Sequence, residues 1–313
     1  MFTLYLVVPC YNEEAVLPET ARQLAAVLEG LQAAGRITET SRVLFVDDGS
    51  RDATWQLIRS LHESDRRFAG LKLSRNRGHQ NALLAGLMLA REHCDAAISL
   101  DADLQDDVGA IERFAAAFEE GCDIVYGVRS SRETDSAFKR LTARGFYRFM
   151  SFMGAETVYD HADYRLMSRR ALEALAEYGE VNLFLRGIAP QLGFRSAKVE
   201  YVRNPRFAGE SKYPLKKMLS FALEGITSFS IRPLRAALVC GGLAFLVSII
   251  MLLYCLIRYL GGQTVSGWAS LGVSIWALGG LQLLMIGIVG EYVGKTYLEA
   301  KRRPRYLIDE TLL

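Results

Sequence analysis

The sequence predicts an α/β protein: a domain built on a mainly parallel sheet, followed by interfacial helices and a two-helix transmembrane hairpin. Three observations predict it. Short β-rich runs alternate with helical patterns from the first residues to Tyr126. Two uncharged stretches, 236–257 and 266–290, are each long enough to cross a bilayer. Polar and acidic clusters recur where the β-rich runs end, as expected of parallel strands that share one ligand-facing edge.

Leu4-Tyr5-Leu6-Val7-Val8 reads as a strand from its β-branched and aromatic content, and a helical pattern over 15–34 follows it. Val43-Leu44-Phe45-Val46 is the next strand, which ends in Asp47-Asp48-Gly49-Ser50 and leads to a helix over 55–61. A short strand at Leu71-Lys72-Leu73 precedes a helix over 79–92. Ala96-Ala97-Ile98-Ser99-Leu100 is strand, 108–120 helix, and Ile124-Val125-Tyr126 strand, with a further strand over 197–202. This order argues for helices on both faces of the sheet.

The uncharged runs read as membrane helices rather than buried core helices because of their length. Lys216, Lys217, Arg232 and Arg235 precede the first, and Lys295, Lys301, Arg302, Arg303 and Arg305 follow the second. The loop around Gly261-Gly262-Gln263 has no Lys or Arg, with Arg258 at its edge. The positive-inside rule then places both ends of the hairpin, and the amino-terminal domain, in the cytoplasm. Ahead of the hairpin, Leu215, Met218, Leu219, Ala222 and Ile226 share one helical face while Lys216 and Lys217 lie off it. That pattern fits an interfacial helix on the bilayer, or a helix packed on the soluble domain or a neighbouring subunit. The stretch 139–153, rich in Phe and Arg, suits the membrane surface in the same way.

Several function classes are disfavoured. The near balance of 37 Lys and Arg against 35 Asp and Glu carries no nucleic-acid signature. No basic region precedes the apolar start, and Glu13-Glu14 soon follow, unlike a signal peptide. Cysteines at 10, 94, 122, 240 and 255 have no paired metal spacing, which suits free thiols in a reducing compartment. The four histidines show no zinc pattern either. No Gly-x-Gly-x-x-Gly follows an early strand, and Gly294-Lys295-Thr296 lacks the first P-loop glycine because Val289 stands there.

Asp101 and Asp103 directly follow the strand 96–100, so both carboxylates leave the sheet together. Mg²⁺ is usually held by one or two carboxylates plus substrate phosphates, which makes Asp101-Ala102-Asp103-Leu104-Gln105-Asp106 a metal and diphosphate platform. Aspartates after a strand also form ordinary turns. Tyr11-Asn12-Glu13, Asp47-Asp48 and Ser74-Arg75-Asn76 close three other strands at the same edge. Together they suit a nucleotide, with carboxylates and amides for base and ribose and a cation for the diphosphate.

In chain order, Val8-Pro9-Cys10-Tyr11-Asn12-Glu13-Glu14, Val46-Asp47-Asp48-Gly49-Ser50 and the Asp101–Asp106 cluster resemble glycosyltransferase family 2. The resemblance is closest to its polyprenyl-phosphate glycosyltransferases, the bactoprenol glucosyltransferases and dolichyl-phosphate mannose synthases. It continues through Asn76-Arg77-Gly78-His79-Gln80-Asn81, Asp163-Tyr164-Arg165-Leu166 and Arg206-x-x-Gly209-x-Ser211-Lys212-Tyr213. Ser228-Phe229-Ser230, Pro233-Leu234-Arg235, Gly290-Glu291-Tyr292 and Arg303-Pro304-x-Tyr306 carry it to the end of the chain.

The resemblance implies a GT-A, Rossmann-like catalytic domain in the cytoplasm over 1–205 and a mobile phosphate-binding loop with an interfacial helix over 206–235. Two membrane helices over 236–290 and a cytoplasmic basic tail over 291–313 complete the division. It implies a UDP-sugar donor held by Pro9, Tyr11, Asn12, Glu13, Asp47, Asp48, Asn76, Asp101, Ala102 and Asp103. Mg²⁺ or Mn²⁺ would sit on Asp101, Asp103 and Gln105, and phosphate on Arg206, Ser211 and Lys212. Arg129 and Arg144 read either as further cations that screen the polyprenyl acceptor phosphate from the donor or as solvated side chains on a helix or loop face. Asp163 matches the position proposed as a catalytic carboxylate in the bacterial enzymes, and Arg165, two residues on, is grouped with it as a catalytic candidate. A lipid phosphate is already largely dianionic at neutral pH, so Asp163 is read either as a base or as a group that positions the donor or Arg165.

The implied reaction is inverting transfer of a sugar, glucose favoured, to undecaprenyl phosphate on the cytoplasmic leaflet of a bacterial inner membrane. N-acetylglucosamine, galactose, mannose and an aminoarabinose derivative stay open. A homo-oligomer, tetrameric by resemblance, and hand-over to a flippase and a downstream glycosyltransferase are the implied partnerships. A processive polysaccharide synthase is disfavoured because Trp55, Trp268 and Trp276 follow Thr54, Gly267 and Ile275, so Gln-x-x-Arg-Trp is missing. A non-enzymatic membrane scaffold or flippase subunit is disfavoured by the intact acidic clusters.

Overall fold

The computed structural model describes residues 1–129, 161–180, 185–202, 230–261 and 267–313. They fall into two compact units: one holds the sheet with its helices, the other the two long apolar helices.

In the first unit, β1 (Leu4–Cys10), β2 (Arg42–Asp47), β3 (Phe68–Leu73) and β4 (Ala96–Ser99) are parallel neighbours in the order β4-β1-β2-β3. Each is longer or shorter than its sequence pattern by one to three residues, the ordinary fraying of element ends. All seven residues of β1 are buried, because helices cover both faces. On one face, α1 (Leu17–Ala33), α2 (Thr54–Ser64) and α4 (Ala110–Glu119) bury Leu24, Ile58 and Phe114 against Leu4, Leu6 and Phe45. The apolar spacing of α1, with Leu17, Ala21, Leu24, Leu28 and Leu31 all inside, places one stripe on the sheet.

On the other face lies α3 (His79–Arg91). Its Gly86 permits a close approach: a Cβ there would stand 2.5 Å from Val7 Cγ1 and 2.6 Å from Val46 Cγ2. The first residues of α3 are thereby seated over the ligand-facing edge.

The other half of the sheet departs from the simple parallel expectation. β5 (Ile124–Arg129) and β6 (His161–Ser168) follow, with α5 (Arg169–Ala176), α6 (Leu185–Gln191) and β7 (Ser196–Tyr201). β6 inserts between β4 and β5 and runs antiparallel to both. Ser99 pairs with Arg165 in this ladder. Because the strands run oppositely, Asp163 emerges at the edge where β4 delivers Asp101.

The second unit contains α7 (Arg232–Leu260) and α8 (Trp268–Ala300), both longer than the uncharged runs that predicted them. Windows of each, Arg232–Met251 at mean hydropathy 2.2 and Ala277–Ala300 at 1.4, are long and apolar enough to cross a membrane. Side chains such as Leu243, Phe245, Ile257 and Leu283 are exposed. Large apolar surfaces of this kind require a cover. The expected interfacial helix over 214–226, the stretch 139–153 and the hairpin loop around Gln263 lie outside the described residues.

The segment read as a basic tail over 291–313 is corrected. Its first part completes α8, and β8 (Ile308–Leu312) pairs antiparallel with β3 as the edge strand of the sheet. Trp55 Nε1 and Arg59 Nη2 donate to Glu310 at 3.2 and 2.8 Å, and Lys72 lies 3.1 Å from Asp309. An exposed edge strand invites aggregation, and β8 covers it.

Candidate functional site

The loops after β1, β2 and β3 are stitched together by their own polar side chains. Asn12, at φ 55°, accepts from Arg51 N through Oδ1 at 2.9 Å, and its own N–H donates to Ser50 Oγ at 2.9 Å. Glu13 N donates to Thr54 Oγ1. Both Asp48 oxygens are taken by backbone N–H groups, of Arg77 at 2.6 Å and Gly78 at 2.8 Å. Asn76 Oδ1 also accepts from Gly78 N. Gly49, at φ +68°, has Arg75 C within 2.7 Å of where a Cβ would stand, so these loops touch backbone to backbone. Asn12, Asp48 and Asn76 therefore build the cradle. Tyr11 stands exposed above it, while Pro9 is buried in β1.

Asp47 differs from its neighbour. It is fully buried; Oδ1 accepts from Ser50 N, and Oδ2 has no hydrogen-bond partner among the described residues. Burial pushes its carboxyl above the ordinary value. An unmatched buried oxygen is costly unless a ligand donor meets it.

The acidic loop after β4 is sharply turned. Leu104 adopts φ 56°, a left-handed conformation that costs a bulky residue about 1 kcal/mol or more. Asp103 Oδ1 accepts from Gln105 N at 3.2 Å, and α1 holds the loop through Thr20 Oγ1 to Ala102 O at 2.8 Å. Asp106 is buried and accepts from Tyr201 Oη at 2.6 Å, so the last carboxylate of the cluster braces β7.

Burial pushes Asp101 up to about 6; Asp106, Asp163 and Asp103 add to the rise, and His79 opposes it. A site this rich in oxygen and negative charge matches the donor preference of a hard divalent cation. Among the described residues no three His, Cys, Asp or Glu side chains form a closed metal cage. Two adjacent carboxylates that leave the rest of the coordination to substrate phosphates and water fit Mg²⁺ or Mn²⁺.

Asp163 lies at the centre of a cationic cluster. Its Oδ1 accepts from Arg165 Nη2 at 2.8 Å and Arg186 Nε at 3.1 Å. Its Oδ2 accepts from Arg186 Nη2 at 2.9 Å and Gln80 Nε2 at 3.1 Å. His79 Nε2 lies 3.6 Å from Asp163 Oδ2 and 3.5 Å from Asp101 Oδ1. Burial alone would raise the Asp163 carboxyl, but the close approach of His79 and the charges of Arg186 and Arg165 hold it well below the carboxylate range. Burial works against a charged His79, yet its contact with Asp163 and the charge of Asp101 raise its pKa.

Packing fixes these positions. Ser99 Oγ, at the end of β4, donates to the Asp163 carbonyl. Arg165 Nη1 donates to Leu185 O at 2.9 Å, and Leu185 N donates to Gln80 Oε1 at 3.2 Å. Both backbone groups of Leu185 are thus held by site residues, which sets Arg186, the next residue along.

The family model described as Glycosyl transferase family 2 matches residues 5–176, more than half of the chain. This chain is a family 2 glycosyltransferase. Its mixed sheet with flanking helices is the GT-A architecture. Among curated proteins it is similar to the uncharacterized glycosyltransferase YkoT of Bacillus subtilis, 55% identical over 98% of this chain and 91% of that one. It is 40% identical to the prophage bactoprenol glucosyl transferase homolog of Escherichia coli over 97% of each chain. The bactoprenol glucosyl transferase of Shigella phage SfX is also 40% identical over 97% of each. Of solved structures, glucosyl-3-phosphoglycerate synthase from Mycobacterium tuberculosis is similar, at 17% identity and a TM-score of 0.45 over 72% of this chain and 76% of that one. With its two apolar helices, this glycosyltransferase is membrane-associated.

The glycosyltransferase brings Tyr11, Asp47, Asp101, Asp103 and Asp163 to one sheet edge. Arg165, expected among the catalytic groups, is 1% exposed, and its guanidinium donates to Asp163 Oδ1 and Leu185 O. Arg129 ends β5. Arg144, Arg206, Ser211 and Lys212 lie outside the described residues. Sequence reasoning assigned no role to His79, Gln80 or Arg186. The first two stood in a noted motif, and Arg186 had no local signal at all.

Proposed function

We propose that this glycosyltransferase moves glucose, with inversion, from UDP-glucose to undecaprenyl phosphate on the cytoplasmic side of a bacterial inner membrane. The observation that carries this reading is similarity over 97% of both chains to proteins named as bactoprenol glucosyl transferases. The similarity spans the apolar helices as well as the GT-A domain, so donor and lipid acceptor are extended to this chain together.

The sheet edge supports a donor laid across it. Tyr11 offers an exposed ring to the uracil, and Asp47 Oδ2 a buried acceptor for a base N–H. Glu13 and Asn76 are proposed for the ribose, with Asn12 and Asp48 shaping the loops. Asp101, Asp103 and Gln105 would hold Mg²⁺ or Mn²⁺ against the diphosphate; when bound, the cation neutralises the charge that develops on departing UDP.

In the reaction, an oxygen of the acceptor phosphate attacks the anomeric carbon opposite UDP. The new C1–O bond forms as the old one breaks, and the electron pair leaves on UDP. The phosphate is already largely dianionic, so no proton has to be removed. The chain's task is to hold two anions together, by cations aimed at their oxygens. Arg129, Arg144, Arg206, Ser211 and Lys212 are proposed for the acceptor phosphate.

Both ends of the helical segment join the same soluble unit, the amino-terminal strands before it and β8 after it. That supports an even number of crossings, with both termini cytoplasmic. Homo-oligomerisation and hand-over of the lipid-linked sugar to a flippase and a second glycosyltransferase complete the proposal, on family grounds alone.

Purified protein, offered labelled nucleotide sugars and undecaprenyl phosphate with Mg²⁺ or Mn²⁺, should glucosylate the lipid from UDP-glucose. Transfer from another donor alone would overturn the sugar, and transfer only to a hydroxyl acceptor would overturn the phosphate.

A further inference from the structure

We infer that Arg186 seats the phosphate of the acceptor, and that Asp163 acts as the positioning carboxylate for Arg186 and not as a base. The inference deepens the proposed reaction and rests on it for the identity of the acceptor.

Geometry carries the first half. Along the ligand-facing edge the strands run β2, β1, β4, β6. They deliver in turn Asp47, Tyr11, the Asp101–Asp103 pair and Asp163. A donor with its base at β1 and β2 and its diphosphate at β4 leaves β6 as the acceptor's side. There the Arg186 side chain, about a third exposed, holds Asp163 in a bidentate grip through Nε and Nη2, two of the five N–H donors of its guanidinium. An arginine fork holds a carboxylate on one edge while another edge faces an anion, and it is suited to phosphate oxygens. His79, 3.5 Å from Asp101 and 3.6 Å from Asp163, spans the step from the diphosphate side to the acceptor side.

The second half follows from saturation. A carboxylate has about four acceptor sites. Asp163 receives hydrogen bonds from Arg165, from two nitrogens of Arg186 and from Gln80, and its side chain is 6% exposed. A base needs a lone pair directed at the proton that it removes. Here the lone pairs are committed to donors, and the nucleophile carries no proton that must leave. What Asp163 does instead is fix the plane of Arg186.

The test is R186Q, R186K and D163N in the full-length protein, with kinetics split between substrates. R186Q should raise the KM for undecaprenyl phosphate on the order of 10- to 100-fold, the loss expected when a charge-assisted bond is removed. Calorimetric affinity for UDP with Mn²⁺ should stay within about twofold by the same reasoning, since the metal and nucleotide groups are untouched. Added guanidinium should restore part of the R186Q rate. D163N, which still accepts from Arg186 through Oδ1, should shift the acceptor KM in the same direction, and D163N with R186Q should be no worse than R186Q alone. A weakened UDP affinity with unchanged acceptor KM would overturn the assignment. So would D163N abolishing turnover while R186Q stays near wild type, the pattern of a base.

Should R186Q melt well below wild type, direct binding of farnesyl phosphate to R186K decides: several-fold weaker binding supports the fork, equal binding overturns it. Farnesyl phosphate binding also separates this inference from the proposed sugar, because it reads the phosphate seat whether or not UDP-glucose is the donor.

Discussion

Asp101 and Asp163, 62 positions apart in the chain, share one imidazole: His79 Nε2 lies 3.5 Å from an oxygen of the first and 3.6 Å from an oxygen of the second. The antiparallel pairing of Ser99 with Arg165 makes this meeting inevitable, since each aspartate lies two residues beyond the pair on its own strand. One belongs to an oxygen-rich cluster that wants a cation; the other is enclosed by cations. The contrast governs what each should do when altered.

Asp103→Asn should lower turnover on the order of 100-fold, because the diphosphate loses part of its cation's hold. Metal titrations of the rate at fixed donor should show a higher half-saturating Mn²⁺ concentration than wild type. Wild-type activity of the variant in the presence of chelator would sink the metal site.

The acid response of Asp163 has a definite sign. Its folded pKa is depressed, so the unfolded chain, near 3.9, takes up the proton first as the pH falls. The stabilisation is full above about pH 5 and fades below about pH 4, as the pH approaches the folded value. Asp163→Asn leaves Arg165 buried without its charge partner and should cost about 3 kcal/mol at pH 7. Thermal melts of both proteins from pH 7 to pH 3 should show the gap narrowing at the acid end; a constant gap would refute the assignment.

Gly86→Val should both destabilise and inactivate. Its side chain would strike Val7 and Val46, and overpacking of this kind costs about 1–3 kcal/mol. Lifting α3 would also displace His79 and Gln80 from Asp163. Gly30→Ala in α1, with nothing within 4 Å of its added Cβ, should instead stabilise by about 0.5–1 kcal/mol. Melting temperature and turnover measured on both variants check the contrast.

Deleting residues 307–313 should expose β3 as a bare edge and promote aggregation. Glu310→Ala, which loses partly exposed contacts to Arg59 and Trp55, should cost about 1 kcal/mol. Size-exclusion profiles and melts report both. A truncated chain that stays monodisperse at an unchanged melting temperature would mean that β8 is dispensable.

What the sequence determined by itself was everything with a local cause. Apolar content and period placed β1 to β5 and their helices within a few residues, and uncharged length marked α7 and α8. Turn chemistry and clustered carboxylates put Asp47, Asp101 and Asp103 at strand ends, because a parallel strand delivers its last residues to one edge whatever its neighbours are. The tertiary structure decided what depends on pairing between distant segments. The insertion of β6 between β4 and β5 brought Asp163 to the site and buried Arg165; the grip of Arg165 and Gln80 on Leu185 then set Arg186. The return of β8 to β3 turned an apparent tail into part of the sheet. Strand neighbours are chosen by burial and backbone hydrogen bonding summed over the whole sheet, and no short stretch of residues records that sum.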